Sequence, residues 1–205
     1  MVDHLWWYTA RAGGLVAWGL VVASCTWGLL LALRVRAIAT PAWTLSLHRW
    51  LGALAVAFTS VHVLALVADD YVEFGLGDVL VPYATSWHPG AVAWGIVGLY
   101  LLAAIEVTSV LRKHVGPRTW RTIHLLSYVL LGVTTIHLLT AGTDSTAVLP
   151  EALAVVAGMV AVFGTAMLLT WRSAPRTRRV FADRAFADQV LADQVLADGS
   201  PTTGR

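Results

Sequence analysis

The sequence predicts an all-α integral membrane protein, a five-helix transmembrane bundle with its N-terminus outside and its C-terminus in the cytoplasm. Three observations predict it. Of 205 residues, 58% are hydrophobic and only 13% charged, where a soluble domain carries about 25% charged. Mean hydropathy is +0.70. The apolar residues gather in five runs, with the basic residues clustered in alternate intervals between them. The composition excludes a disordered chain, and a single cysteine excludes an internal disulfide framework. An isoelectric point of about 9.0 is the one hint of a polyanion partner. The net charge is only +2, however, and short basic clusters between apolar runs set membrane orientation rather than bind nucleic acid.

The runs cover residues 13–33, 45–67, 90–111, 119–139 and 150–170. Each suffices for a hydrocarbon core of about 30 Å, which takes roughly 20 helical residues. In lipid a segment must satisfy its own backbone hydrogen bonds, so each run is expected to be helical. Pro89 and Pro150 suit first-turn positions and Gly142 a C-terminal cap. Arg34, Arg36 and Arg49 flank the first connection, and Arg112, Lys113, Arg118 and Arg121 the third. Arg172, Arg176, Arg178, Arg179 and Arg184 follow the fifth run. The other connections carry Asp69, Asp70, Glu73, Asp78, Asp144 and Glu151 and no Lys or Arg. Basic loops stay inside, which gives the stated orientation. Only Arg11 lies on the other side.

Val22-Ala23-Ser24-Cys25 resembles a lipoprotein cleavage box. The following residues 26–33 stay apolar, and the run exceeds a signal-peptide core of roughly 7–15 residues. Cys25 therefore reads as a packing residue of a retained helix. Residues 1–172 form the membrane domain. Residues 173–205 are basic and then repeat a five-residue unit, as in Val180-Phe181-Ala182-Asp183-Arg184. A period of five spirals around a helix instead of building one stripe, so a flexible cytoplasmic tail is expected, with docking the weaker reading.

Seven histidines are present, and four fall inside runs: His48 and His62 on the second, His124 and His137 on the fourth. Ionisable groups within a membrane are costly and mark function. The second and fourth runs are parallel to each other. His48 therefore matches His124 in depth near the cytoplasm, and His62 matches His137 nearer the outside. The separations of 14 and 13 residues amount to about 21 and 19.5 Å of rise. Two layers of paired imidazoles on opposed helices suit two haems, each iron held on both faces by histidine. Gly52, Ala55 and Thr59 make the face between His48 and His62 small-sided. Arg49, Arg121 and Arg118 lie where propionates of an inner haem would point.

Thirteen residues fall about 140° short of four ideal turns. Thr134 and Thr135 are candidates to bend the helix by bonding back to carbonyls. The competing readings are four separately packed histidines, or a transition-metal transport site, whose ligands should instead gather around one ion. His4, His88 and His114 read as solvated. Glu106 reads as the partner of a nearby Arg, with proton relay the sharper alternative. Trp7, Trp43, Trp50, Trp87, Trp94, Trp120 and Trp171 read as interfacial anchors.

His48-Arg49-Trp50-Leu51-Gly52 with His62, then Trp120-Arg121-Thr122-Ile123-His124-Leu125-Leu126-Ser127-Tyr128 with His137, resembles the ferric reductase-like transmembrane domain superfamily. Trp7-Tyr8 and Ala141-Gly142-Thr143-Asp144 are similar to small bacterial members. The resemblance covers roughly residues 5–172. It implies transmembrane electron transfer through two haem b groups, the inner on His48 and His124 and the outer on His62 and His137. It also implies a multi-pass bacterial plasma-membrane protein, either a reductase or the haem subunit of one. Larger members continue into flavin- and NAD(P)H-binding domains. The 33 residues from 173 to 205 are too few for one, and no Gly-rich dinucleotide fingerprint occurs. No flavin or NAD(P) site is therefore expected within this chain. Membrane lipid, a separate flavoprotein or quinol donor and an extracytoplasmic acceptor are the expected partners, and no nucleic acid is. The alternatives are a non-catalytic haem sensor or carrier and, behind it, a metal transporter.

Overall fold

A computed structural model describes residues 5–32, 42–69 and 74–141, together with Gly158 and Gly164. Within them lie six helices and no strand: α1 Leu5–Ala32, α2 Ala42–Val67, α3 Leu76–Leu80, α4 Pro89–Val110, α5 Pro117–Leu125 and α6 Ser127–Ala141. Four stretches are long and apolar enough to cross a membrane: Leu5–Ala32, Trp43–Val67, Pro89–Val110 and Pro117–Ala141. The shortest has 22 residues, about 33 Å of helix. The fifth expected span, Pro150, Gly142, His4 and the repeated tail lie outside the described residues, apart from two helical glycines, Gly158 and Gly164.

The helices are built as membrane helices. α1, α2, α4 and α6 are apolar almost all round, so their outward faces expose Leu64, Val107 and Val110. Hydroxyls on these helices bond back one turn, as Thr26 does to Val22 and Ser60 to Val56, which hides a polar group from lipid. Pro89 and Pro117 begin α4 and α5, where a missing N–H costs nothing. α1 starts eight residues before the expected span, because Trp6, Trp7 and Tyr8 continue the helix toward the interface.

α1 packs most extensively on α2, and α4 on α6. Both pairs are antiparallel: Gly13 and Gly28 of α1 approach His62 and His48, while Gly95 and Gly98 of α4 approach His137 and Thr134. Trp18, Val21, Cys25, Leu102, Ile105 and Leu131 form the core between them. Trp18 Nε1 donates to Thr135 Oγ1 at 3.0 Å, joining α1 to α6. Cys25 is a buried packing residue whose thiol faces the Ser127 carbonyl at 3.6 Å.

The fourth crossing is not one straight helix. Leu126 N–H bonds three residues back to Ile123 O at 3.0 Å, a tightened turn that separates α5 from α6. Thr134 and Thr135 do bond back to Leu130 and Leu131, yet the interruption falls at Leu126. Beyond α2, the short helix α3 and the segment leading to Pro89 fold over the bundle end. Tyr100 O–H donates to Leu80 O at 2.6 Å, and Trp87 packs edge-on against Phe74 and Trp7.

Candidate functional site

The four intramembrane histidines converge as two pairs. The ring centres of His48 and His124 are 5.9 Å apart at 82°. Those of His62 and His137 are 6.3 Å apart at 75°. Two imidazoles bound to opposite sides of one ion, at the roughly 2.0 Å typical of metal–imidazole bonds, have ring centres about 6 Å apart. Both pairs have that spacing.

Three of the four rings are oriented by a neighbouring helix. His62 Nδ1 lies 2.6 Å from the Ala10 carbonyl oxygen on α1, and His137 Nδ1 lies 2.8 Å from that of Ala91 on α4. A carbonyl only accepts, so Nδ1 carries the hydrogen in both rings and Nε2 keeps its lone pair. That is the tautomer in which an imidazole binds a metal through Nε2, with Nδ1–H held by a backbone oxygen.

Glycine makes these approaches possible. A Cβ on Gly14, one turn beyond Ala10, would meet His62 Nδ1 at 2.9 Å. A Cβ on Gly95, one turn beyond Ala91, would meet His137 Cε1 at 2.8 Å. At the other pair, His48 Nδ1 lies 3.3 Å from Ser24 Oγ, and a Cβ on Gly28 would meet its Cε1 at 3.1 Å. His124 differs. Its Nδ1 is buried without a hydrogen-bond partner among the described residues, and its ring stacks on Trp120 at 5.0 Å. Trp120, expected as an interfacial anchor, therefore covers a histidine of the site, because residues four apart share a helix face. Arg112 in turn lies 4.6 Å over the Trp120 ring.

The description "ferric reductase like transmembrane component" matches residues 11–135. The chain belongs to this family. A ferric reductase-like transmembrane component is an oxidoreductase-type part of a membrane protein, which agrees with four membrane-length helices. The matched stretch includes His48, His62 and His124 and ends two residues before His137. A relative from Archaeoglobus fulgidus, named only as an uncharacterized protein, is 33% identical over 106 residues. That match covers 48% of this chain and 56% of the relative, so it spans little more than half of that protein. No solved structure matches.

Within this ferric reductase-like domain, each histidine pair borders a cavity. The larger, about 260 Å³, reaches His62 and His137 between Gly14 and Gly95, and Trp7, Arg11 and Trp87 also line it. The smaller, about 40 Å³, lies at His48 and His124, bordered by Ser24, Gly52, Glu106 and Ser127. Gly52 brings α2 against Glu106, whose Oε1 would lie 2.5 Å from a Cβ there. Glu106 thus sits beside the His48–His124 pair. Arg49 and Arg121 are exposed and border neither cavity. Arg11 was legible only as the one basic residue on the wrong side, and here it borders the larger cavity. Among the described residues no three His, Cys, Asp or Glu side chains gather about one point.

Proposed function

We propose that the chain carries electrons across the membrane through two haem b groups, one between His48 and His124 and one between His62 and His137. The observation that carries this reading is the matched spacing of the ring pairs, 5.9 and 6.3 Å, on parallel helices. The groups, when bound, would supply a one-electron iron couple at each histidine pair. The chain's own residues do the rest. Ala10 and Ala91 hold the Nδ1 hydrogens of His62 and His137, so their Nε2 atoms face the site as neutral ligands. Gly14, Gly28 and Gly95 give the rings room. Trp18, Leu102 and Leu130 are buried between the two pairs, and Leu102 and Leu130 line both cavities.

The basic residues sort with the pairs. Arg49 and Arg121 lie at the His48–His124 end, which the distribution of Lys and Arg assigns to the cytoplasm. On this reading both, exposed at that end, meet haem propionates with charge-assisted hydrogen bonds. The partners on this reading are a separate flavoprotein or quinol donor and an extracytoplasmic acceptor.

The test is a dithionite-reduced minus oxidised visible spectrum of the purified protein, with haem extracted and counted per chain. The expected result is a low-spin b-type spectrum with two haems. Folded protein made with ample haem yet containing none would overturn the reading. Retained haem that no quinol or flavin donor reduces would favour a sensor or carrier.

A further inference from the structure

Three of the four imidazoles meet the same construction on a neighbouring helix: an acceptor residue, then a glycine four residues on. These are Ala10 with Gly14, Ser24 with Gly28, and Ala91 with Gly95. On α1 the two constructions are 14 residues apart, the same interval as His48 to His62 on α2. Fourteen residues return a helix to within about 40° of the same face. A 14-residue step along α4, one more than the 13 from His124 to His137, leads from Ala91 and Gly95 to Ile105 and Ser109, and Ile105 is buried where Ala104 is exposed. Ile105 does border the cavity at His124. A serine therefore stands where the fourth glycine is expected.

Three buried polar atoms at this end of the bundle have no partner among the described residues: Ser109 Oγ, Trp120 Nε1 and His124 Nδ1. Thr108, the residue before Ser109, bonds back to Ala104 O at 2.7 Å, as helix hydroxyls in lipid commonly do. Ser109 does not. Its hydroxyl is left over on the helix face that the repeat assigns to His124.

We propose that Ser109 is the positioning residue of His124: its Oγ accepts the Nδ1 hydrogen when that imidazole binds iron through Nε2. The proposal rests on the haem reading above and gives the two sites different chemistry. His62 and His137 are held by backbone carbonyls at 2.6 and 2.8 Å. His48 is held by the Ser24 hydroxyl at 3.3 Å, and His124 by the Ser109 hydroxyl. A stronger acceptor on Nδ1–H makes the imidazole a more basic ligand, which favours oxidised iron and lowers its potential. Ser109 thus sets the potential of one haem and not the other.

The experiment is a potentiometric titration of both haems in the purified full-length holoprotein, comparing wild type with Ser109→Ala and Ser109→Gly. Alanine removes the acceptor, so one midpoint potential rises. Glycine clears the path to the Ile105 carbonyl, as Gly14 and Gly95 do to those of Ala10 and Ala91, so that same potential falls. The second potential stays fixed in both variants. Shifts of one sign in both variants, or in neither, overturn the role of Ser109 while a two-haem wild type leaves the haem reading standing. A wild type without haem overturns both.

Discussion

His62 Nδ1 lies 2.6 Å from the carbonyl oxygen of Ala10, and the access for that contact is the missing side chain of Gly14. This imidazole is oriented by helix backbone, which cannot rotate away as a side-chain acceptor would. Gly14→Ala puts a methyl 2.9 Å from Nδ1. It is expected to lower haem from two per chain to about one, losing the group at the His62–His137 pair. Gly95→Ala should act alike, its methyl 2.8 Å from His137 Cε1. Gly132 has open space around it, so Gly132→Ala keeps both haems and favours the helix by about 0.5–1 kcal/mol. Extracted haem counted per chain in the three variants decides the matter. Full haem in Gly14→Ala refutes the cradle.

The pairing of rings makes a second prediction about which losses coincide. His48→Ala and His124→Ala should each remove the same haem, and His62→Ala and His137→Ala the other. Two variants of one pair will then give superimposable difference spectra, while variants of different pairs will not. If His48→Ala matched His137→Ala, the parallel arrangement of α2 with α5 and α6 would be wrong as a description of ligation.

Much of this geometry was legible beforehand, and its limits are instructive. Matching depth needs only helical rise and the direction of each crossing, so His48 could be set beside His124 and His62 beside His137 from residue counts. Pro89 at the start of α4 follows from proline chemistry in the same way. The interruption at Leu126 was not legible, since nothing in Leu125-Leu126-Ser127 lacks an N–H or forbids a helix. The glycines were missed for another reason. Gly14 and Gly28 repeat the 14-residue interval of the histidines, but a glycine acquires its role only from the neighbouring helix it admits.

The basic residues at the two ends carry a third prediction. Arg49→Gln or Arg121→Gln should speed release of the haem at the His48–His124 pair and leave the other unaffected. Arg11→Gln should do the reverse, because Arg11 borders the cavity of His62 and His137. A hydrogen bond to a charged group contributes about 1.5–3 kcal/mol, so release should accelerate roughly ten-fold or more. Transfer of haem to an excess of a soluble haem-binding apoprotein, followed in time, measures this directly. Equal acceleration of both phases by Arg49→Gln would show a general loosening of the bundle instead.

Trp18 and Thr135 join α1 to α6 in the layer between the histidine pairs, with Nε1 donating to Oγ1 at 3.0 Å. Trp18→Phe removes the donor, but Thr135 keeps its own bond to Leu131 O at 2.7 Å, so no buried hydroxyl is stranded. Interhelical hydrogen bonds inside a membrane contribute about 0.6 kcal/mol on average and seldom above about 1.7. The loss should therefore be modest. Leu131→Ala acts on the same layer by a different route. Its side chain is 1% exposed, and truncating a buried leucine costs about 2–5 kcal/mol through lost contacts and the cavity left behind. Equilibrium unfolding of both variants in one detergent should rank Leu131→Ala as clearly the more damaging. The opposite order would mean that the Trp18–Thr135 bond, rather than apolar packing, holds the two halves of the site in register.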